Sequence, residues 1–366
     1  MTIELRTGDR EAFFDAPFHA YRPHDGYVSP LRSDIRRMLD PAANPLWQAG
    51  NRFAFWTAHR DSRPVGRIVA HVHGQSNERH DTARAQFGFF DCADDDVAAG
   101  VLLGAAEDFA RDAGQRELIG NFNLTAMQQC GVMTDGYGAP GYTDMVVNPP
   151  HVPRLLEAHG FTRCFPMRTF ELDLRDARID GLRVPAADGG FRFAPIEKAS
   201  FVERMEEARA VLNDGFADNP MFVPLTADEF RFQAGEMMSI LDPRLSSVLL
   251  HHDRPVGTIV CIPDLNGFLA ATRSRIGLTT PFHYLRYRLR RRRAVIIFYS
   301  VVQDHHGQGL MGGMLARTVT ALRDAGYERL GITWIADGNV ASLRQMEKLG
   351  ARSLHRLHLF RKDVAG

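Results

Sequence analysis

The chain has 366 residues, 45% of them hydrophobic and 24% charged, and its formal net charge is zero. That composition is globular and too long for one ordinary core, so two domains are expected, and the charge balance excludes an electrostatic grip on DNA by the molecule as a whole. No window approaches eighteen consecutive apolar residues, no leader pattern opens the chain, and Cys92, Cys130, Cys164 and Cys261 lack metal-ligand spacing, so a reduced, cytoplasmic protein with no transmembrane segment, disulfide framework or bound metal is expected.

In chain order, an apolar run at Phe53 to Ala58 leads into Arg63-Pro64-Val65-Gly66-Arg67-Ile68-Val69-Ala70, which reads as a turn feeding a β-branched strand. A helix is expected to stop at Gly114 within Ala110-Arg111-Asp112-Ala113-Gly114, with a strand after it at Leu118. Residues Asn121 to Val147 mix Asn, Thr, Gln, Asp and Tyr with several glycines, as either a lid or acceptor wall or an elaborate surface loop. Between Asp173 and Gly190 apolar periodicity stops and Asp, Arg, Pro, Ala and Gly cluster, which marks a linker.

The pattern then recurs. Arg254-Pro255-Val256-Gly257 repeats Arg63-Pro64-Val65-Gly66, and Leu322-Arg323-Asp324-Ala325-Gly326 repeats the helix end at Gly114. Asn339 pairs with Asn148, and Glu347-Lys348-Leu349-Gly350 pairs with Glu157-Ala158-His159-Gly160. Each half reads β-turn-β, β, α, β, α, β. The expected fold is α+β, in two lobes that each hold a mixed, largely antiparallel sheet flanked by helices, with boundaries at 1–175, a linker at 176–190 and a second lobe at 191–366.

The strand Ala294 to Val302 empties directly into Gln303-Asp304-His305-His306-Gly307-Gln308-Gly309-Leu310-Met311-Gly312-Gly313, which opens a helix. Glycines at a helix start expose unpaired N–H groups at the positive end of the helix dipole, and that makes an anion site.

This order of strand, His306-Gly307-Gln308-Gly309-Leu310-Met311 loop, helix, strand at Leu330 to Trp334, then Asn339 and Glu347-Lys348-Leu349-Gly350, resembles the GNAT acyltransferase superfamily. The resemblance implies that Val301, Val302, His306, Gly307, Gln308, Gly309, Leu310, Met311, Gly312 and Asn339 line the site of acyl-CoA or another phosphopantetheine-linked acyl donor. Over nearly its whole length the chain resembles a bacterial family of tandem GNAT-like N-acyltransferases of the type to which bacterial ceramide synthases belong. That implies transfer from a thioester, on coenzyme A or an acyl carrier protein, to a primary amine of a small molecule or lipid. Two departures stand out. His306 and Met311 replace the Arg or Gln and the Gly or Ala usual in such loops, and Met346 stands where the superfamily has a general-acid Tyr.

Offset by 212 residues, Asp94-Asp95-Asp96 falls opposite His306-Gly307-Gln308, and carboxylates there would repel phosphate. The N-terminal lobe is therefore expected to be a degenerate copy that packs and frames the acceptor.

Candidate catalytic groups are Tyr299, as a replacement acid; Asp304 and His305, as base or phosphate ligand; and Trp334, as acceptor wall, with Asp337 beside it. Asp264 and Asn266 either orient an amine or form a Pro-Asp-x-Asn turn. Arg286, Arg288, Arg290, Arg291, Arg292 and Arg293 form a basic run interleaved with Tyr and Leu. They suit a carrier's phosphates, anionic lipid headgroups or an aminoacyl-tRNA, or simply a charged surface helix. An aminoacyl-tRNA donor and a non-catalytic acyl-CoA sensor are the alternative functions.

Overall fold

The computed structural model describes residues 2–48, 50–125, 127, 129–234 and 240–364. Its strands are β1 (Ile3–Thr7), β2 (Phe53–Arg60), β3 (Arg63–His71), β4 (Arg84–Cys92), β5 (Glu117–Gly120), β6 (Val132–Asp135), β7 (Thr162–Asp173), β8 (Phe191–Pro195), β9 (Ser247–His251), β10 (Arg254–Pro263), β11 (Arg293–Val301), β12 (Arg329–Ala336) and β13 (Arg352–Asp363). With the intervening helices they give the mixed α+β architecture expected.

Two compact units share these elements. The first comprises Met1–Arg168, Asn266–Tyr284 and His355–Gly366, and the second Thr169–Leu265 and Leu285–Leu354. The units thus differ from the contiguous lobes 1–175 and 191–366. The last strand, β13, pairs antiparallel with β5, from Phe360 opposite Gly120 to Asp363 opposite Glu117, so the chain's end completes the first unit. Residues 266–284 join that unit through Ser274, whose hydroxyl donates to Ser29 O at 2.6 Å and whose carbonyl accepts from Arg32 N at 2.9 Å.

In the first unit the strands run β1-β2-β3-β4-β5-β13, antiparallel except for the parallel pair β4/β5. In the second they run β8-β9-β10-β11-β12, antiparallel except for the parallel pair β11/β12.

The internal repeat is the same construction made twice. Asp61 and Ser62 in one hairpin, and His252 and Asp253 in the other, take positive φ (50° and 65°; 47° and 63°), the tight turn that matches strand twist. Gly66 and Gly257 follow, each where a helix crosses its strand. A Cβ at Gly66 would sit 2.8 Å from Leu102 on the helix Asp96–Asp112, and one at Gly257 would sit 2.7 Å from Met314 Sδ on the helix Leu310–Asp324. Each helix buries a stripe at four-residue spacing: Ala98, Leu102, Ala106 and Ala110 in one, Met314, Thr318 and Leu322 in the other. Burying one such Leu contributes about 1.5–3 kcal/mol. Among the described residues no helix is long and apolar enough to cross a membrane.

Candidate active site

The two parallel pairs end at matching places. Pairing of β4 with β5 stops at Phe87 opposite Gly120, and pairing of β11 with β12 stops at Ile296 opposite Ile332. Beyond those points β4 runs on to Cys92 and β11 to Val301 without that pairing. In the second unit the parting coincides with a bulge, because Phe298 faces Val260 and Ile296 faces Cys261, which leaves Ile297 extra. Thr333 Oγ1 donates to Ile297 O at 3.1 Å, and past it β11 runs free of β12 through Tyr299 to Val301.

This free edge leads into the glycine loop. Gly307 and Gly309 have φ of +79° and +78°, which a Cβ makes costly, and nothing lies within 4 Å of where a Cβ would be. Gly309 caps the helix Leu310–Asp324 without any side-chain hydrogen bond. Upstream amides are taken: Gln303 N donates to Asp214 Oδ1 at 2.6 Å, His305 N to Val302 O, and His306 N to Gln303 O. From Gly307 to Gly312 the N–H groups have no acceptor among the described residues. They gather at the positive end of the helix dipole, as a phosphate site requires. Further in, Leu310, Gly312 and Gly313 are buried, with Leu182 and the Arg183 carbonyl packed over the two glycines, so the open part of the loop is its 307–309 end with the first helical amides.

The remaining expected donor residues divide. Val301 and Val302 are buried in the core, and Val302 N–H is already bonded to Val256 O at 3.0 Å, so their side chains are structural. His306 Nε2 donates to Val301 O at 2.9 Å, which pins the loop and removes that nitrogen as a phosphate ligand. Gln308 and Met311 stay at the surface or half-buried, and Asn339 caps the helix Val340–Leu349 by accepting from Ser342 N at 3.1 Å. Its counterpart Asn148 does different work, accepting from Met133 N and donating to Met133 O.

Tyr299 lies on the free stretch of β11 beside Ser342, and its hydroxyl has no hydrogen bond of ordinary geometry among the described residues. Burial pushes its phenol up to about 12. Met346 is wholly buried in the core. Trp334 is half-buried on β12, two residues past the parting, and Asp337 follows at the strand's end.

Asp304 and His305 are held in a chain. Arg254 pairs with Asp304 at 2.9 Å, Asp304 Oδ1 accepts from His305 Nδ1 at 2.6 Å, and His305 Nε2 lies 3.1 Å from His251 Nδ1. The bond from His305, with Arg254 behind it, keeps the Asp304 carboxyl below its ordinary range. Five residue steps separate Ile297 from Val302, about 16 Å at strand rise, so Asp304 and His305 belong to the glycine-loop end of the gap and not to its bulge.

Asp264 is buried and pairs with Arg293 at 3.3 Å, an anchor between strand ends. Asn266 Oδ1 accepts from Thr143 Oγ1 at 3.4 Å. The arginine run splits likewise. Arg291, Arg292 and Arg293 pair with Asp242, Glu328 and Asp264, whereas Arg286, Arg288 and Arg290 stand exposed on the helix Thr280–Arg290 with no ion pair among the described residues.

The first unit's counterpart of the gap is filled. Phe89 N donates to Asn123 Oδ1 at 2.7 Å, Phe90 N to Asn121 Oδ1 at 3.1 Å, and the Phe122 carbonyl lies 1.7 Å from where a Gly88 Cβ would be. The corresponding helix start is closed too, since Asp95 accepts from Ala98 N while Asp94 pairs with Arg154 and Asp96 with His159.

Sequence reasoning missed the polar group beside this filled gap. Arg67, 1% exposed, donates to Asp91 at 2.8 Å, to Phe13 O and to Tyr27, while Tyr21 donates to Asp91 at 2.7 Å. A cleft of roughly 430 Å³, open mouth included, is lined by Arg67, Asp91, Asn121, Asn123 and Gln129 among others. Arg67 sits in a strand that reads as apolar, and no local pattern announces its partner twenty-four residues on. Asp144, in the loop read as a lid or surface loop, was also missed; its φ is +68°, and burial raises its carboxyl to about 7.

With this geometry in view, the comparisons with known proteins are informative. Residues 214–351 match the acetyltransferase (GNAT) family model. The chain is 24% identical over 377 aligned positions to protein YghO of Escherichia coli (strain K12), covering 98% of this chain and 94% of that one. It is also 24% identical to the bacterial ceramide synthase of Caulobacter vibrioides (strain NA1000 / CB15N), covering 99% and 97%. Among solved structures it is similar to a tandem GNAT protein from the clavulanic acid biosynthesis pathway, solved without AcCoA, with a TM-score of 0.62 at 13% identity and coverage of 100% and 99%. A GCN5-related N-acetyltransferase from Sphaerobacter thermophilus gives a TM-score of 0.57 at 12% identity, covering 100% and 96%. The parted strands, the uncapped glycine helix start and these matches lead to one assignment: residues 214–351 carry a GNAT-type acyltransferase domain, and the chain as a whole has the fold of the tandem GNAT structures.

Proposed function

We propose that the second unit takes an acyl thioester carried on phosphopantetheine, as acyl-CoA or acyl carrier protein, and transfers the acyl group to the primary amine of a lipid or small molecule. The observation that carries this reading is the continuous run from the bulge at Ile297, along the free edge of β11, to the unpaired amides beginning at Gly307. A thin arm suits the gap between β11 and β12, and a pyrophosphate suits the loop. The residues present fit such a donor, which would supply an activated carbonyl and a thiolate leaving group.

Around the reacting carbon this chain supplies backbone N–H groups of the Tyr299 to Val301 stretch to hold negative charge on the carbonyl oxygen. The amine's lone pair forms the new C–N bond as the C–S bond breaks, the amine proton leaves to solvent, and the Tyr299 hydroxyl gives its proton to sulfur. Trp334 walls the amine side, while Asp304, His305 and His306 keep the loop in shape.

A lipid acceptor draws support from the ceramide synthase relative, whose name states a product made by acylating a long-chain amine. The test is a panel of acyl-CoA chain lengths against sphingoid and small amines, reading thiol release and amide mass together. Amide formed only with a long-chain amine supports the reading. Binding of acyl-CoA with no amide against any amine would replace it with a sensor, and turnover seen only with charged tRNA would replace the donor.

A further inference from the structure

The helix Thr280–Arg290 has no buried residue. Half-buried His283, Tyr284 and Tyr287 mark the side that packs, with Tyr284 edge-on to Phe268 at 5.7 Å. On the opposite side Phe282, Leu285 and Leu289 are 66%, 58% and 78% exposed. Their spacing of three and four residues aligns them in one stripe at about 100° per residue. The segment just before the helix adds Ile276 at 69% and Leu278 fully exposed. A soluble surface seldom gathers so many bare aliphatic and aromatic side chains in one place.

The charge around this stripe has one sign. Between Asp264 and Asp304 the sequence contains no Asp or Glu. Arg286 and Arg290 flank the stripe on one side and Arg288 on the other, and among the described residues these three lack the carboxylate partners that Arg291, Arg292 and Arg293 have. An apolar stripe pointing away from the body, edged by unpaired guanidinium groups, matches the physics of a helix lying in a bilayer interface. It does not match nucleic acid, whose phosphates would use the arginines and leave the Leu and Phe side chains in water.

We propose that this helix docks the protein on an anionic lipid surface, with Phe282, Leu285 and Leu289, aided by Ile276 and Leu278, seated among acyl chains and Arg286, Arg288 and Arg290 on headgroup phosphates. The inference stands independently of the transferase reading, because it concerns binding alone. The experiment is co-sedimentation of the full chain with vesicles of equal phosphatidylglycerol and phosphatidylcholine, against phosphatidylcholine alone.

Binding is expected to be at least ten-fold stronger to the anionic vesicles and to weaken with salt. Replacing Arg286, Arg288 and Arg290 with Gln should lower it about 100-fold, a factor of about five for each. Leu285→Ser with Leu289→Ser should lower it at least ten-fold at unchanged charge. All five positions are exposed, and unchanged thermal melting checks that each variant folds. As a positional readout, Phe282→Trp should blue-shift on anionic vesicles and be quenched by brominated lipid chains. The proposal is overturned if wild type ignores both vesicles, if the leucine variant binds as well as wild type, if salt-sensitive binding to bulk tRNA replaces vesicle binding, or if the leucines instead hold a dimer in sedimentation analysis.

Discussion

Placing a carboxylate on the glycine loop separates donor binding from folding. In Gly309→Glu, a φ of +78° costs any side chain about 1–2 kcal/mol, and open space around the position adds no clash. Gly326 is a matched control. Its φ is +80°, it is equally open, and it follows the other end of the same helix, about 22 Å away at 1.5 Å per residue. Gly326→Glu should therefore lose the same stability and leave the donor loop untouched. A glutamate at 309 stands within a few ångströms of a bound phosphate, where like charges repel by roughly 1–4 kcal/mol between bulk-water and protein-surface screening. That corresponds to a loss of coenzyme A affinity between about five-fold and several-hundred-fold, reduced by salt. Calorimetric titration of coenzyme A into both variants, with melting temperatures measured alongside, makes the comparison. Equal affinity for the two would refute the reasoning, since the loop amides would then not be where phosphate sits.

Three further expectations follow from particular side chains. Tyr299→Phe should reduce kcat about 10²–10⁴-fold without changing donor affinity; because burial lifts the phenol to about 12, wild-type kcat should stay level from pH 7 to 10, and full activity in the variant would remove Tyr299 from the chemistry. Arg67→Met strands Asp91 in a buried site and should cost about 3–5 kcal/mol by urea unfolding, with Asp91→Leu added to it recovering much of the loss; a cost under about 1 kcal/mol would show the pair to be incidental. His71 is fully buried, neither ring nitrogen has a partner among the described residues, and burial with His73 nearby lowers it to about 3. Its depressed value means the unfolded chain takes up a proton near 6.5 that the folded chain refuses until about 3, so stability falls with pH across that window, by a few kcal/mol at most. His71→Phe should flatten the decline in melting temperature between pH 7 and 4, and an unchanged slope would assign the acid sensitivity elsewhere.

What could be read along the chain was whatever short-range chemistry dictates. The repeated Arg-Pro-Val-Gly announced two hairpins, although the turns lie just before it, at Asp61-Ser62 and His252-Asp253, and its glycines sit inside β3 and β10 where a helix crosses closely. The Gly307 and Gly309 loop announced an open helix start, because glycine adopts that backbone most readily and leaves the amides uncovered. Pairings between distant segments were not legible. Arg291, Arg292 and Arg293 read as free cations until Asp242, Glu328 and Asp264 were found opposite them, and nothing in a run of arginines shows which half is neutralised. Asp94-Asp95-Asp96 announced only a charge that repels phosphate at the first unit's helix start, which in the structure Asp95 caps. The larger obstruction, Asn121 and Asn123 occupying the β4 amides, depends on a loop folding back across Gly88, which local sequence does not encode.

Return of β13 to β5 has a consequence for biosynthesis. The segment Met1–Arg168 emerges from the ribosome well before β13, and until Phe360–Asp363 arrive the backbone of Glu117–Gly120 presents an unsatisfied edge on that side. Such an edge is an invitation to adventitious strand partners. Chains truncated before Phe360 should therefore aggregate through the Glu117–Gly120 edge of the first unit.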